Sequence, residues 1–115
     1  MRRGKQRKFG REAGQRRTLY RALATALIEH GRIKTTEAKA KSLSRYVDKL
    51  ITLAKKQTLA ARRLLLAQIG ERAVKKLMAE ITPQFESREG GYTRIIKLGQ
   101  RRSDAAPMVI IEFLK

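Results

Sequence analysis

The side chains that could carry acid–base, nucleophilic or metal chemistry are few and scattered in this sequence. His30 is its one histidine and cysteine is absent, so a metal site would lack the further nitrogen or sulfur ligands that it needs. Ser42, Ser44 and Ser103 do not stand in the glycine-flanked turn that exposes a catalytic serine. The acidic residues form no close pair suited to acid–base work. The sequence therefore predicts no enzyme, no metal site and no cofactor, and it places His30 at a helix end or on the surface.

Positive charge is the chemistry that this sequence offers in quantity. Lysine and arginine number 28 against 10 acidic residues, which gives a formal net charge of +18. An excess of this size destabilises a free compact protein by self-repulsion and favours a lasting anionic partner. No apolar run approaches the roughly 20 residues that a membrane-spanning helix needs. We therefore predict a nucleic acid as the partner, with no membrane and no small-molecule substrate.

The positive charge is densest in residues 1–17, where three glycines accompany a single acid, Glu12. No apolar face recurs there, so we expect an arm that is disordered in the free protein and orders on a polyanion. A merely solubilising tail is the alternative. Phe9 could stack on an unpaired base or anchor the arm on protein, and the sequence leaves both open. The arm residues predicted to bind nucleic acid are Arg2, Arg3, Lys5, Arg7, Lys8, Phe9, Arg11, Arg16 and Arg17.

RNA is favoured over DNA because a basic arm interrupted by glycines suits irregular, deep RNA grooves. The sequence also lacks a dimerisation heptad and a convincing helix-turn-helix. A DNA-binding nucleoid protein and an RNA-modifying enzyme are the alternatives, and the missing catalytic cluster disfavours the second. Residues 1–17 contain no apolar stretch of a secretory signal, so we expect a cytoplasmic protein. The lack of cysteine excludes disulfides and fits a reducing compartment.

The elements that must position these cations begin with a helix over residues 19–30, with Thr18 as its N-cap and Gly31 after its end. Residues 32–35 predict a strand. A second helix opens at Thr36 and Glu37. Its apolar face comprises Leu43, Tyr46, Val47, Leu50, Ile51 and Ala54. Its basic stripe comprises Lys41, Arg45, Lys49 and Lys56, which contact phosphates or form an ordinary solvated face.

The remainder of the chain predicts two short helices and a hairpin. A basic loop with Arg101 and Arg102 near its tip joins the two strands of that hairpin. Val109, Ile111 and Phe113 alternate toward one face, which we assign to the helical layer. The predicted elements are helices at residues 59–69 and 71–81, the second ended by Pro83, and strands at residues 92–98 and 108–114.

Together these elements predict an α+β fold of two layers in the order helix, strand, three helices and two strands. Two strands alone are marginal, so residues 33–35 are added as a third. The small three-stranded sheet is expected to pack on the helices. We expect one domain over residues 18–115 behind the extended basic arm of residues 1–17.

Three segments of the sequence carry a resemblance to a known family. They are IKTTEAKAK from Ile33, LITLAK from Leu50 and SREGGYTRIIKLGQRRSDAAPMVIIEFL from Ser87. Together with the basic start MRRGKQRKFGR and the Arg16-Arg17 pair, they resemble the family of bacterial large-subunit ribosomal protein number seventeen. The resemblance covers essentially the whole chain.

The resemblance implies a ribosome-bound protein that binds large-subunit ribosomal RNA and contacts neighbouring ribosomal proteins. It further implies a place near the subunit surface around the peptide exit side, a structural role in translation, and no enzymatic activity. The matched segments add further cations and one aromatic residue to the arm, the stripe and the loop. The complete predicted RNA-binding set beyond the arm is Lys34, Lys39, Lys41, Arg45, Arg88, Tyr92, Arg94, Arg101 and Arg102.

Overall fold

Helices and strands follow one another in the order predicted from the sequence, and the α+β fold class is confirmed. The computed structural model describes the backbone of residues 2–114 and the side chains of residues 14, 15 and 17–114. The elements are α1 (Arg2–His30), β1 (Arg32–Thr36), α2 (Glu37–Ala54), α3 (Leu59–Ile69), α4 (Glu71–Lys76), β2 (Thr93–Gln100) and β3 (Pro107–Phe113).

Helix α1 begins at Arg2, whereas the sequence predicted a start at residue 19 with a cap at Thr18. Thr18 instead lies inside the helix, where its hydroxyl donates a hydrogen bond to the carbonyl oxygen of Gly14 at 3.1 Å. Arginine, lysine, glutamine and alanine are good helix formers, and here they outweigh the glycines of the segment. The predicted helix start is therefore wrong. That residues 1–17 are disordered in the free protein stays a prediction.

The junctions on either side of β1 follow the predicted turn chemistry in part. Gly31 ends α1 with a φ of 80°, and its N–H donates to the carbonyl oxygen of Leu27 at 2.7 Å. Thr36 occupies the N-cap position of α2 with an extended backbone, but its side chain makes no capping hydrogen bond. Glu37 lies in the first turn of α2, as predicted, where a carboxylate favours the helix dipole.

The three strands form an antiparallel sheet in the order β1-β3-β2, so β3 is the central strand. In one row of this sheet Ile33 pairs with Ile111, which pairs in turn with Ile95. Because side chains alternate along a strand, this row faces the helices and the next row faces away from them. The prediction that residues 33–35 supply a third strand is confirmed.

The hydrophobic core lies between the helices and the inner face of the sheet, and α2 packs against both the sheet and the other helices. Val47 and Leu50 on α2 are at most 2 % exposed, and Val109 and Ile111 on β3 are fully buried. Phe113 continues the alternation and packs partly buried against the same core. Both core predictions, the apolar face of α2 and the inward face of β3, are confirmed.

Turn residues set the limits of α3 and α4. The hydroxyl of Thr58 accepts a hydrogen bond from a first-turn N–H of α3 at 3.1 Å, and Gly70, with a φ of 80°, separates the two helices. After α4 the chain continues through a π-helical turn, Leu77–Ile81, and a 3-10 turn, Thr82–Phe85. The α-helical and π-helical residues together span residues 71–81, as predicted, but a 3-10 turn follows where Pro83 was expected to end the helical conformation. Pro83 lies in the first residues of this turn, where its missing N–H is tolerated.

Candidate nucleic-acid interface

The basic stripe of α2 points away from the core because the apolar residues of the helix occupy the opposite side. Lys41 lies 3.5 Å from the carboxylate of Glu37, one helical turn earlier. Arg45, Lys49 and Lys56 make no ion pair and donate no side-chain hydrogen bond to any residue in the described part of the chain. These three exposed cations therefore remain available to an anion.

The loop of the β2–β3 hairpin is held by its own arginine. The guanidinium of Arg101 donates to both carboxylate oxygens of Asp104, at 2.9 and 2.6 Å. The same carboxylate accepts from the backbone N–H of Ala106 at 3.2 Å, and the carbonyl oxygen of Arg101 accepts from the N–H of Ala105 at 2.8 Å. Arg102 is exposed beside this closed loop. Arg101 thus shapes the loop, and the exposed side chain of Arg102 takes no part in these contacts.

The charge of Asp104 is stabilised by these contacts. The hydrogen bonds from Arg101 lower the pKa of the Asp104 carboxyl to about 2, with a further contribution from the N–H of Ala106. The same interaction raises the pKa of Arg101 above its usual value. The pair therefore stays ionised throughout the physiological range, so part of the positive charge of the loop is balanced internally.

The sheet register decides which predicted residues lie together. Thr36 pairs with Met108, and Gln100 pairs with Pro107. The hairpin loop therefore lies at the end of the sheet from which α2 starts, near the exposed Lys39 of its first turn. Arg94 lies six residues before Gln100 on β2, about 20 Å away along the strand. The predicted residues are thus divided between the two ends of the sheet.

At the end of the sheet opposite the hairpin loop, the segment before β2 is hydrogen-bonded to two side chains of α2 and its C-cap, Asp48 and Lys55. The Asp48 carboxylate accepts from the backbone N–H of Tyr92 at 3.4 Å, and the ammonium of Lys55 donates to the carbonyl oxygen of Arg88. Burial raises the pKa of Asp48, and hydrogen bonds from the N–H groups of Tyr92 and Gly91 act in the opposite direction. The one acid in the body of α2 is therefore engaged with backbone.

Arg88, predicted to bind RNA, is exposed but partly engaged. Its Nε donates to the carbonyl oxygens of Gly90 at 3.3 Å and Gly91 at 3.0 Å. These bonds close the turn ahead of β2 without neutralising the guanidinium. Its charge is therefore available, although its position is fixed by the turn.

Tyr92, which was predicted to contact RNA, is buried in this structure. It is 1 % exposed, its ring lies 5.2 Å from that of Phe85, and the ammonium of Lys55 lies 4.9 Å from its ring centre. The turn before β2 places the ring inward. Phe85, seven residues earlier, was the sequence signal that an aromatic partner was available.

Arg94 and Lys34 lie on the sheet face that points away from the helices. Arg94 donates through Nε to Glu112 on the neighbouring strand at 2.8 Å. Lys34 is exposed in the next outward row. Sequence reasoning missed Arg32, which flanks Glu112 on the opposite side from Arg94. The alternation of Arg32 and Lys34 along β1 was the signal that could have found it.

For the arm, the structure gives the backbone of α1 from Arg2 onward. Arg17 is exposed. The other predicted arm residues have side chains outside the described part of the chain, so their contacts stay predictions. They are Arg2, Arg3, Lys5, Arg7, Lys8, Phe9, Arg11 and Arg16.

Comparison with known proteins identifies the family to which these surfaces belong. The family model described as ribosomal protein L17 matches residues 19–114. The chain belongs to the ribosomal protein L17 family. Proteins named large ribosomal subunit protein bL17 are similar along most of their length. That of Thermoanaerobacter sp. is 53 % identical over 109 residues, which cover 94 % of this chain and 97 % of the relative. That of Shouchella clausii is 51 % identical over 116 aligned residues, covering 93 % and 97 %.

The L17 match includes the basic stripe and the hairpin loop, while the arm precedes it. The alignment with the Thermoanaerobacter bL17 covers 94 % of the chain, which is more than residues 19–115 can supply. The similarity therefore extends into the arm. The resemblance noted in the sequence is thereby confirmed.

None of the helices in residues 2–114 is long and apolar enough to cross a membrane. Within the same part of this L17 chain, no three histidine, aspartate or glutamate residues are grouped so that they could hold a metal ion.

Proposed function

We propose that this L17 chain is a structural constituent of the large ribosomal subunit and binds ribosomal RNA through the arm, the basic stripe of α2 and the hairpin loop. The observation that carries the proposal is similarity along 94 % of the chain to proteins named large ribosomal subunit protein bL17. The net charge of +18 supports it, since phosphate neutralisation is the usual source of affinity for RNA.

In this proposal, residues 18–115 hold their exposed cations at fixed distances from one another. Arg45 and Lys49 lie one turn apart on α2, about 6 Å along its axis at a rise of about 1.5 Å per residue, and Lys56 follows in the turn after the helix. The core that fixes α2 against the sheet also fixes the distance from this stripe to Arg102. Contacts of this kind set the position and orientation of the protein on RNA and carry little sequence information. The role is therefore architectural rather than catalytic, and it requires no cofactor.

The arm would contribute affinity and reach. Residues 1–17 order on RNA in this proposal, while residues 18–115 form the domain that folds by itself. Neighbouring large-subunit proteins are the second class of partner. In the cell the chain would be found on ribosomes in the cytoplasm.

Sedimentation tests the subunit assignment. Large subunits purified through sucrose in high salt should contain the full chain in stoichiometric amount, because many phosphate contacts and protein neighbours hold it. A matched gradient of free cytosolic proteins is the control. Recovery of the chain mainly in free fractions, or with the nucleoid, would contradict the proposal.

Deletion of residues 1–17 tests the arm. Each lost phosphate contact lowers the salt slope of binding by roughly 0.7 to 0.9, so removal of several cations should reduce the slope by several units. Filter binding of the full chain and of residues 18–115 to large-subunit ribosomal RNA, over a range of salt concentrations, measures this. Circular dichroism should show that residues 18–115 still fold.

The control for that deletion is an arm of the same length whose lysines and arginines are replaced by glutamine. If the positive charge of the arm provides the RNA contacts, this variant should show the same reduced salt slope of RNA binding as the deletion. An unchanged salt slope after deletion would show that the arm does not contact phosphates.

A further inference from the structure

The sheet face that points away from the helices carries an apolar patch. Ile110 on β3 pairs with Ile96 on β2, one residue out of phase with the buried row that contains Ile111. Ile96 is 40 % exposed, and Met108, the next outward residue of β3, is partly exposed beside it. Leu98, which has no partner on β3 because the register shifts there, is 48 % exposed and follows Ile96 along the strand. We call Ile96, Met108 and Ile110, with the adjoining Leu98, the outer sheet patch.

The outer sheet patch has a positively charged border. Lys34 pairs with Ile110 in the same row, so an exposed ammonium adjoins the apolar centre. The next outward row contains Arg32, Glu112 and Arg94. Glu112 is bound to Arg94 at 2.8 Å, so this row keeps a surplus of positive charge. A partner that covers the patch must therefore combine apolar side chains with carboxylates at their margin.

The chemistry of the patch disfavours RNA and a second copy of the chain. Branched aliphatic side chains offer no aromatic plane on which a base can stack and no donor for a phosphate. Two copies placed face to face would bring their own cationic borders together, at a net charge of +18 each. Pairing at the β2 edge is hindered by the irregularity between Lys97 and Gly99, where the strand register shifts.

We propose that the outer sheet patch docks a segment of a neighbouring protein in the large subunit, one whose apolar side chains are flanked by acidic residues. The inference rests on the proposed function, because it takes the neighbour from the same particle. Burial of the patch removes exposed isoleucine and leucine from water, while Lys34 and Arg32 meet the carboxylates of the partner. The outer sheet patch thus serves protein contact, and the stripe and loop serve RNA.

Single cysteines test the docking, since the natural chain has none. Ile96→Cys and Leu98→Cys are compared as free chains and in large subunits isolated from cells that carry them. N-ethylmaleimide should modify both about tenfold or more slowly in the subunit, as expected for a covered position. Leu64→Cys in the free chain, at a site on α3 where leucine is 57 % exposed, gives the rate of an uncovered position.

A photo-cross-link then identifies what covers the patch. Benzophenone-maleimide attached to Ile96→Cys in the assembled subunit should cross-link to a protein segment that mass spectrometry shows to contain acidic residues beside apolar ones. A cross-link to RNA, to a second copy of the chain or to a segment without acids overturns the proposal. Unprotected cysteines in subunits that contain the chain overturn it as well, while the proposed function stands.

If neither cysteine variant assembles, the unaltered chain gives the same readout. Hydroxyl radicals oxidise exposed methionine, and Met108 lies in the patch. Its oxidation should slow about tenfold or more on assembly. An undiminished rate overturns the proposal, whereas failure of the unaltered chain to sediment with large subunits overturns the proposed function.

Discussion

Helix α2 and the β2–β3 hairpin are both rich in cations, but they use them differently. Arg45 and Lys49 on α2, and Lys56 in the turn that follows it, make no ion pair within the described part of the chain. On the hairpin, Arg94 and Arg101 each bind a carboxylate, at 2.8 and 2.6 Å. The two regions contain four cations each, but within the described residues three of those on α2 and two of those on the hairpin are without an ion pair.

The cause of the difference is where the acids lie. In the hairpin, Glu112 stands opposite Arg94 across the strands, and Asp104 lies within reach of Arg101 across the turn. On α2, Asp48 turns toward the backbone of Tyr92 instead of the stripe. A count of charged residues thus overestimates the charge presented by the hairpin and describes that of the stripe better.

The largest expected effect is a loss of stability when the buried face of α2, rather than its exposed face, is changed. Leu50→Asp places a charge in a site that is 2 % exposed, so it should cost about 4 kcal/mol or more of the free energy of unfolding, enough to unfold the domain. Circular dichroism and urea titration measure the loss. A variant that melts like the parent would refute the core assignment.

The matched control for that variant is Lys49→Asp, at the neighbouring position on the exposed side. Its free energy of unfolding should change by about 0.5 kcal/mol or less, while its RNA binding should weaken. A large loss of stability here would show that Lys49 has a structural role.

Next in size is the direct comparison of stripe and hairpin. Arg45, Lys49 and Lys56 replaced together by glutamine should lower the salt slope of RNA binding by about two units, with little loss of stability. Arg94 and Arg101 replaced by glutamine should lower it by less than about one unit, because both cations are already paired. Filter binding measures the salt slope and urea titration measures the stability. A larger fall in salt slope for the hairpin variant than for the stripe variant would contradict the comparison.

A smaller effect is expected when a paired hairpin cation is released. Glu112→Gln leaves Arg94 without its carboxylate, so RNA binding should gain up to about one unit of salt slope. Stability should fall by about 1 kcal/mol or less, since exposed ion pairs contribute little. Urea titration at low and high salt measures the loss. An unchanged salt slope would mean that Arg94 does not reach RNA.

The smallest effect concerns pH. Because the folded-state pKa of Asp104 is lowered to about 2, its pair with Arg101 contributes stability above the ordinary aspartate pKa, and this is lost as pH falls toward 2. Asp48 acts oppositely, since its raised pKa means that its contribution is greatest at low pH and is lost as pH rises. Carboxyl chemical shifts measured by NMR should show Asp104 titrating well below Asp48, and equal values would contradict this.

Periodicity predicted the parts of the fold that depend on a single apolar face. Periodicity predicted the buried side of α2, which contains Leu50, and the inward alternation of Val109 and Ile111 on β3. Both could be predicted because each element buries only one side. The limit at Thr18 was predicted wrongly, and the 3-10 turn that contains Pro83 was not predicted. There, local propensity and irregular turns decide the outcome, and neither produces a periodic pattern.

The candidate site was predictable as a set of cations but not as an arrangement. Which cation meets which acid depends on strand register, and the pairing of Arg94 with Glu112 brings together residues 18 positions apart. The burial of Tyr92 likewise depends on Phe85 and Lys55, whose positions are set by the turn before β2. Such contacts follow from tertiary structure, which residue types and spacing alone do not encode.

The central position of β3 has a consequence for synthesis. The ribosome produces β1 and β2 before β3, yet neither strand pairs with the other in the sheet. Arg32 of β1 meets Glu112 only after residues 33–111 have been synthesised. Closure of so long a loop is slow, and until then the apolar side of α2 has no complete sheet to cover it. We therefore expect a nascent chain to be most prone to aggregation just before β3 leaves the exit tunnel.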